Sequence, residues 1–96
     1  MKRALIVPDE LAILIRHLPP ELKKKVRKAL DEITVHPVAG KALVEELAGL
    51  HSFKLGNIRI VYRLRGDASV SLVAIGPRKT IYQKTVLELG RLKKGV

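Results

Sequence analysis

Lys54, Arg59, Arg78, Lys79 and Tyr82 fall in two short stretches, residues 49–64 (GLHSFKLGNIRIVYRL) and 74–82 (AIGPRKTIY). Each sets basic residues on or beside alternating apolar residues, and the second ends in a tyrosine. Fixed cations beside an aromatic ring are what a protein needs to hold a phosphodiester and stack a base. Arg59, Arg63 and Arg65 share one parity of a strand-like run, opposite Ile58, Ile60, Tyr62 and Leu64. If the apolar set faces inward, the arginines face solvent. A solvated sheet face in which charge discourages edge pairing has the same pattern, so alternation alone does not define a binding face. Arg78 adds weight, because it follows Gly76-Pro77 at a strand end, where loops on a rigid scaffold bring side chains together. Tyr82 lies four residues further on, one helical turn away. A ring packed on the core edge with a wet hydroxyl is the plain alternative for it.

Other chemistries find little support. His17 ends a helix-like run, His36 precedes a proline and His51 begins a strand-like run; no pair has metal-ligand spacing. His51 alone lies near the basic strands, which makes it the one histidine with an acid–base or RNA-contacting reading. A solvated histidine at the start of a strand is the plainer one. Glu45 and Glu46 are adjacent and diverge on most backbones. Arg65-Gly66-Asp67 spells an adhesion tripeptide but reads as a hairpin turn. There is no phosphate-binding loop, dinucleotide fingerprint or serine elbow, and the chain has no cysteine, which removes disulfides and thiol catalysis. No cofactor or metal is implied.

Ninety-six residues make a single domain over residues 1–96. The apolar fraction of 47% suffices for one core and leaves no room for a second; with only Phe53, Tyr62 and Tyr82 as aromatics, that core must be aliphatic. The formal charge of +10 favours a polyanionic partner. The imbalance is uneven: after Glu46 only Asp67 and Glu88 are acidic. No signal-peptide pattern and no apolar run of membrane-spanning length is visible. The expectation is a soluble cytoplasmic protein with no membrane partner.

These residues must be positioned by recognisable elements. Residues 2–7 read as a short strand. Pro8-Asp9 opens a helix whose stripe is Leu11, Leu14, Ile15 and Leu18, and Pro19-Pro20 ends it. A second helix follows, with Val26, Ala29, Leu30 and Ile33 at helical spacing, and His36-Pro37 stops it. Residues 37–48 read as a connector with one helical turn at most. From Leu50 the period becomes two, with Gly56-Asn57 as a hairpin turn and residues 65–67 as a second. Val70, Leu72 and Ala74 alternate with Ser71, Val73 and Ile75. Residues 79–94 read as a helix with Ile81, Thr85, Leu89 and Leu92 on one stripe. The order β-α-α-β-β-β-α is an α+β fold, an antiparallel meander sheet packed against a helical hairpin.

With these pieces in place the chain resembles the RelE/ParE toxin superfamily over nearly its whole length. The likeness runs through LPPELKKKVRKALDEI, HPVAGKALVEELAGL, HSFKLGNIRIVYRL and AIGPRKTIY. Gly40-Lys41, Leu43, Leu47, Gly49-Leu50, Lys54, Gly56, Arg59-Ile60 and Tyr62 are specific as a set. The resemblance implies a microbial-ribonuclease-like fold and a toxin of a type II toxin–antitoxin system. RelE-type members cut messenger RNA in the ribosomal A site; ParE-type members poison DNA gyrase. The RelE-type positions carried over are Lys54, Arg59, Arg78 and Tyr82, with Lys79 as a neighbouring cation and Arg63, Arg65 and His51 as RNA-contacting candidates. Pro77 stands where many relatives have histidine, and Ser52 where some have a second lysine.

The leading expectation is therefore a metal-independent mRNA interferase in which the ribose 2′-oxygen attacks the adjacent phosphate. Arg59 and Arg78 would stabilise the phosphorane, Lys54 would act as base, Tyr82 would stack or orient the base, and Arg78 or Lys79 would serve the leaving oxygen. A gyrase inhibitor and an inactive antitoxin-binding module are the alternatives. Each toxin reading implies an acidic antitoxin, largely extended or helical, in a toxin–antitoxin hetero-oligomer.

Overall fold

The computed structural model describes residues 3–66 and 68–94. Lys2 and Asp67, assigned above to the first strand and second turn, and the side chain of Leu92 lie outside the described residues. The chain runs β1 (Ala4–Ile6), α1 (Asp9–Arg16), α2 (Pro20–Val35), a 3-10 turn (Pro37–Ala39), β2 (Lys41–Ala42), a second 3-10 turn (Glu45–Leu47), β3 (Leu50–Leu55), β4 (Ile58–Arg65), β5 (Ser69–Pro77) and α3 (Ile81–Lys94). Pro8 and Pro19 sit at the N-caps of α1 and α2, with extended backbone. A proline there forfeits no helical hydrogen bond, and it forces the preceding residue out of helical geometry.

The expected meander is present: β3 pairs antiparallel with β4, and β4 with β5. Two short strands widen it to the order β1-β5-β4-β3-β2, and β1 joins β5 in parallel, so the sheet is mixed. The connector holds more structure than periodicity shows, because two-residue β2 and single 3-10 turns are too short to print a repeat.

The hairpin of α1 and α2 covers one sheet face. Val26, Ala29, Leu30 and Ile33 pack there on Ile60, Tyr62, Val70, Leu72 and Ile75, flanked by Leu11, Ile15 and Phe53. The expectation of one core is corrected on the other face. There α3 closes a second, smaller cluster of Leu50, Val61, Ala74 and Ile81, with Leu43, Leu47 and Leu89 beside it. The strands are apolar on both faces near their middles, so the sheet is a central layer. The alternation expected for β5 is also corrected. A β-bulge between Val61 and Tyr62 pairs them with Ala74 and Leu72. The extra residue, Val73, moves Ile75 to the hairpin face and Ala74 to the α3 face.

Tyr62 ties the connector to the hairpin face. Its fully buried hydroxyl donates to the Pro37 carbonyl and accepts the Gly40 N–H at 3.0 Å. Burial raises its pKa above the ordinary 10.0, partly offset by the Gly40 bond. A Cβ on Gly40 would lie 2.5 Å from that oxygen, which explains glycine there.

Candidate functional site

The register assigns the cations to faces. Lys54 pairs directly with Arg59, and Ser52 with Val61. Directly paired residues share a face. Val61 belongs to the cluster under α3, so Ser52, Lys54 and Arg59 all lie on the α3 face. Tyr82, in the first turn of α3, donates its hydroxyl to Ser52 Oγ at 3.2 Å. Ser52 is thus the hydrogen-bond partner of Tyr82.

Arg59 is half-buried and fixed. Its Nη1 donates to the carbonyls of Gly56 (2.8 Å) and Ile58 (3.0 Å). Among the described residues these bonds engage Nη1 and leave Nε–H and Nη2 as a fork for an anion. Gly56 itself adopts φ 60, the left-handed conformation that this tight turn requires. Arg78 is fastened to the same turn: its N–H donates to the Asn57 carbonyl at 2.8 Å. Lys79 follows it, exposed, just before α3. Lys54, Arg59 and Tyr82 are therefore brought together on one face, with Arg78 and Lys79 beside the turn that edges it.

The other candidates are placed elsewhere. Arg63 and Arg65 lie on the same face but four and six residues along β4 from Arg59, about 13 and 20 Å at strand rise. The Leu50–Val61 cluster lies between. Arg65 Nε donates to Ser71 Oγ at 2.9 Å. Both arginines line an open cleft of about 640 Å³ with Ser71, Lys84, Leu14 and Leu89. This replaces the expectation of a plainly solvated arginine face, because α3 lies across its middle. His51 is on the opposite face from the cations. It pairs with Tyr62 and stacks on its ring at 5.5 Å, with a buried Nδ1 that has no hydrogen-bond partner among the described residues. One residue of register separates it from the site, and in a strand that is the difference between faces.

Among the described residues, no group of three or more His, Cys, Asp or Glu is placed to hold a metal, and no helix is long and apolar enough to cross a membrane.

The family model described as the ParE toxin of the type II toxin–antitoxin system, parDE, matches residues 8–82, and the chain belongs to that family. No curated protein matches the sequence. Among solved structures, a chain of the RelBE2 toxin–antitoxin complex from Mycobacterium tuberculosis is similar at 25% identity and TM-score 0.71, over 81% of this chain and 100% of that one. A doubly arginine-to-alanine variant of E. coli toxin RelE in the free state is similar at 19% identity and TM-score 0.71, over 92% and 94%. The intact E. coli RelBE complex gives 20% identity and TM-score 0.66, over 78% and 95%. The last two likenesses are of fold.

Proposed function

We propose that this toxin is a ribosome-dependent endoribonuclease that cuts messenger RNA in the A site and so stops translation. The observation that supports this reading is the free fork of Arg59 on one face with Lys54 and Tyr82, beside the turn that fastens Arg78. The ribose 2′-oxygen attacks the adjacent phosphorus. The O2′–P bond forms and the P–O5′ bond breaks; the 2′-hydroxyl proton passes to Lys54, which acts as the base. Arg78 or Lys79 stabilises or protonates the departing O5′, leaving a 2′,3′-cyclic phosphate and a 5′-hydroxyl. Arg59 meets the phosphorane charge as a preorganised donor. With His51 on the other face, the site is rich in charge and poor in acid–base groups. Cleavage then depends on a substrate already oriented by the ribosome, an effect worth several orders of magnitude.

The partner is an acidic antitoxin that folds on binding and covers or displaces the segment from Arg78 through α3, as a cytoplasmic hetero-oligomer. Relatives solved as toxin–antitoxin complexes support this. Co-purification at low and high salt tests it.

The deciding experiment is primer extension on messenger from cells after brief induction of this chain, beside the Arg59→Ala/Arg78→Ala double variant. Cuts within translated regions that vanish in the variant are expected; cuts retained in the variant would overturn the assignment. The match to the ParE family favours a second reading, gyrase inhibition, and growth arrest without cuts but with a positive supercoiling assay would establish it.

A further inference from the structure

We infer that Lys41, on the edge strand β2, is a further phosphate-binding cation of this site. The inference rests on the RNA-cleavage reading above. In sequence, Lys41 lies in a connector without periodicity; only strand register gives it a direction. Lys41 pairs directly with Ser52, and Ala42 with His51. Directly opposed residues share a face, and Ser52 is on the α3 face, where its hydroxyl meets Tyr82.

A second observation gives the same direction independently. Gly40 is extended (φ −83, ψ 156), and its missing Cβ would point at the Tyr62 hydroxyl on the hairpin face. Successive residues of an extended chain project to opposite faces, so Lys41 projects to the α3 face.

Lys41 and Lys54 are then diagonal neighbours across β2 and β3, a spacing of about 7–8 Å or somewhat less between Cβ atoms. The Lys41 ammonium, on its four-carbon stem, can reach the phosphate beside Lys54, the base. With Arg59 on β4 the two lysines make a group of basic side chains across three adjacent strands. Lys41 is exposed and in no ion pair among the described residues. Its backbone is nonetheless fixed, because the Tyr62 hydroxyl holds Pro37 and Gly40 immediately before it. A lysine that served solubility alone would need neither that anchorage nor a place directly opposite the residue that holds Tyr82.

The test combines binding and chemistry on the full chain. Binding of a single-stranded 2′-O-methyl oligoribonucleotide, which cannot be cut, is titrated over a salt series. Single-turnover cleavage is measured on ribosomes carrying messenger. The chains are wild type, Lys41→Gln, Lys41→Arg and, as a control on the far side of the sheet, Lys25→Gln. For Lys41→Gln the slope of log K against log salt should fall by about 0.7, the loss of one single-strand phosphate contact. Cleavage should slow at least about tenfold, while Lys41→Arg restores both and Lys25→Gln changes neither. An unchanged slope and rate in Lys41→Gln, with wild-type cleavage intact, overturn the role of Lys41 and leave the ribonuclease reading standing. Loss of the same size in Lys25→Gln also overturns it, since the effect would then be general charge. A wild-type chain that leaves ribosome-bound messenger uncut overturns the ribonuclease reading and this inference with it.

Discussion

Arg59 and Tyr62 lie three residues apart on one strand and do different work because they face opposite ways. Arg59 holds the β3–β4 turn with one nitrogen and offers the other two outward. Lysine has the charge but no planar fork. Arg59→Lys is therefore expected to fold and to lower single-turnover cleavage by at least about tenfold; a rate equal to wild type would show that charge alone suffices. Tyr62 satisfies two buried backbone groups through a single oxygen. Tyr62→Phe leaves the Pro37 carbonyl and the Gly40 N–H unpartnered and should cost about 1–3 kcal/mol in urea unfolding. The same phenol sets an alkaline limit. Its folded pKa is raised above the unfolded value of 10.0, because the buried neutral form is favoured. That contribution is fully present below pH 10 and is lost as pH rises through the folded pKa. Stability should therefore fall above pH 10 in the wild type and fall less steeply in Tyr62→Phe, measured by urea midpoints across that range.

At the scale of elements, α3 is what turns a basic sheet face into the candidate site. It docks through Ile81 and Thr85, both fully buried, and carries Tyr82 to Ser52. Thr85 meets its own burial by donating to the Ile81 carbonyl at 2.7 Å. Ile81→Ala removes the first anchor, and truncations of this kind cost about 2–5 kcal/mol in a packed site. If α3 opens as a local unit, hydrogen exchange will rise in its amides ahead of those of β4. If it does not, the global urea midpoint will carry the whole loss. In either case cleavage should suffer more than in a destabilised variant of the hairpin core such as Val26→Ala, because Tyr82 loses its seat. Equal losses at equal stability would separate Tyr82 from the mechanism. The periodicity of this helix is readable from Ile81, Thr85 and Leu89, but its partner is not. Nothing local distinguishes a helix packed beside the hairpin from one packed on the opposite face.

For the whole molecule, charge and layering matter most. A net +10 on a domain measuring 35 × 29 × 22 Å steers polyanions from a distance. The on-rate for an acidic antitoxin should fall steeply between low and physiological salt, while the off-rate changes little, as stopped-flow mixing would show. A salt-independent on-rate would place the recognition in apolar contacts. Layering explains how so small a chain holds two clusters: the central sheet is shared between them. Composition alone cannot reveal this sharing.

The sequence by itself determined the elements and the parity of their residues. Prolines at 8, 19, 20 and 37 bound the helices, Gly56-Asn57 makes the tight turn, and the two-residue period puts Arg59 opposite Ile60. These are local effects of backbone sterics and hydrophobic pattern, legible in any window of ten residues. Lys54, Arg59, Arg78, Lys79 and Tyr82 were readable as candidates for the same reason. Tertiary structure alone decided which of them meet. The parity of β3 already set His51 with Phe53 and Leu55, opposite Lys54, whereas only register put Lys41 on the α3 face. The bulge at Val73 redirected half of β5, and the docking of α3 divided the arginines into two groups. Each of these depends on contacts beyond any local window, and a shift of one residue in a strand pairing would send every side chain of that strand to the other face.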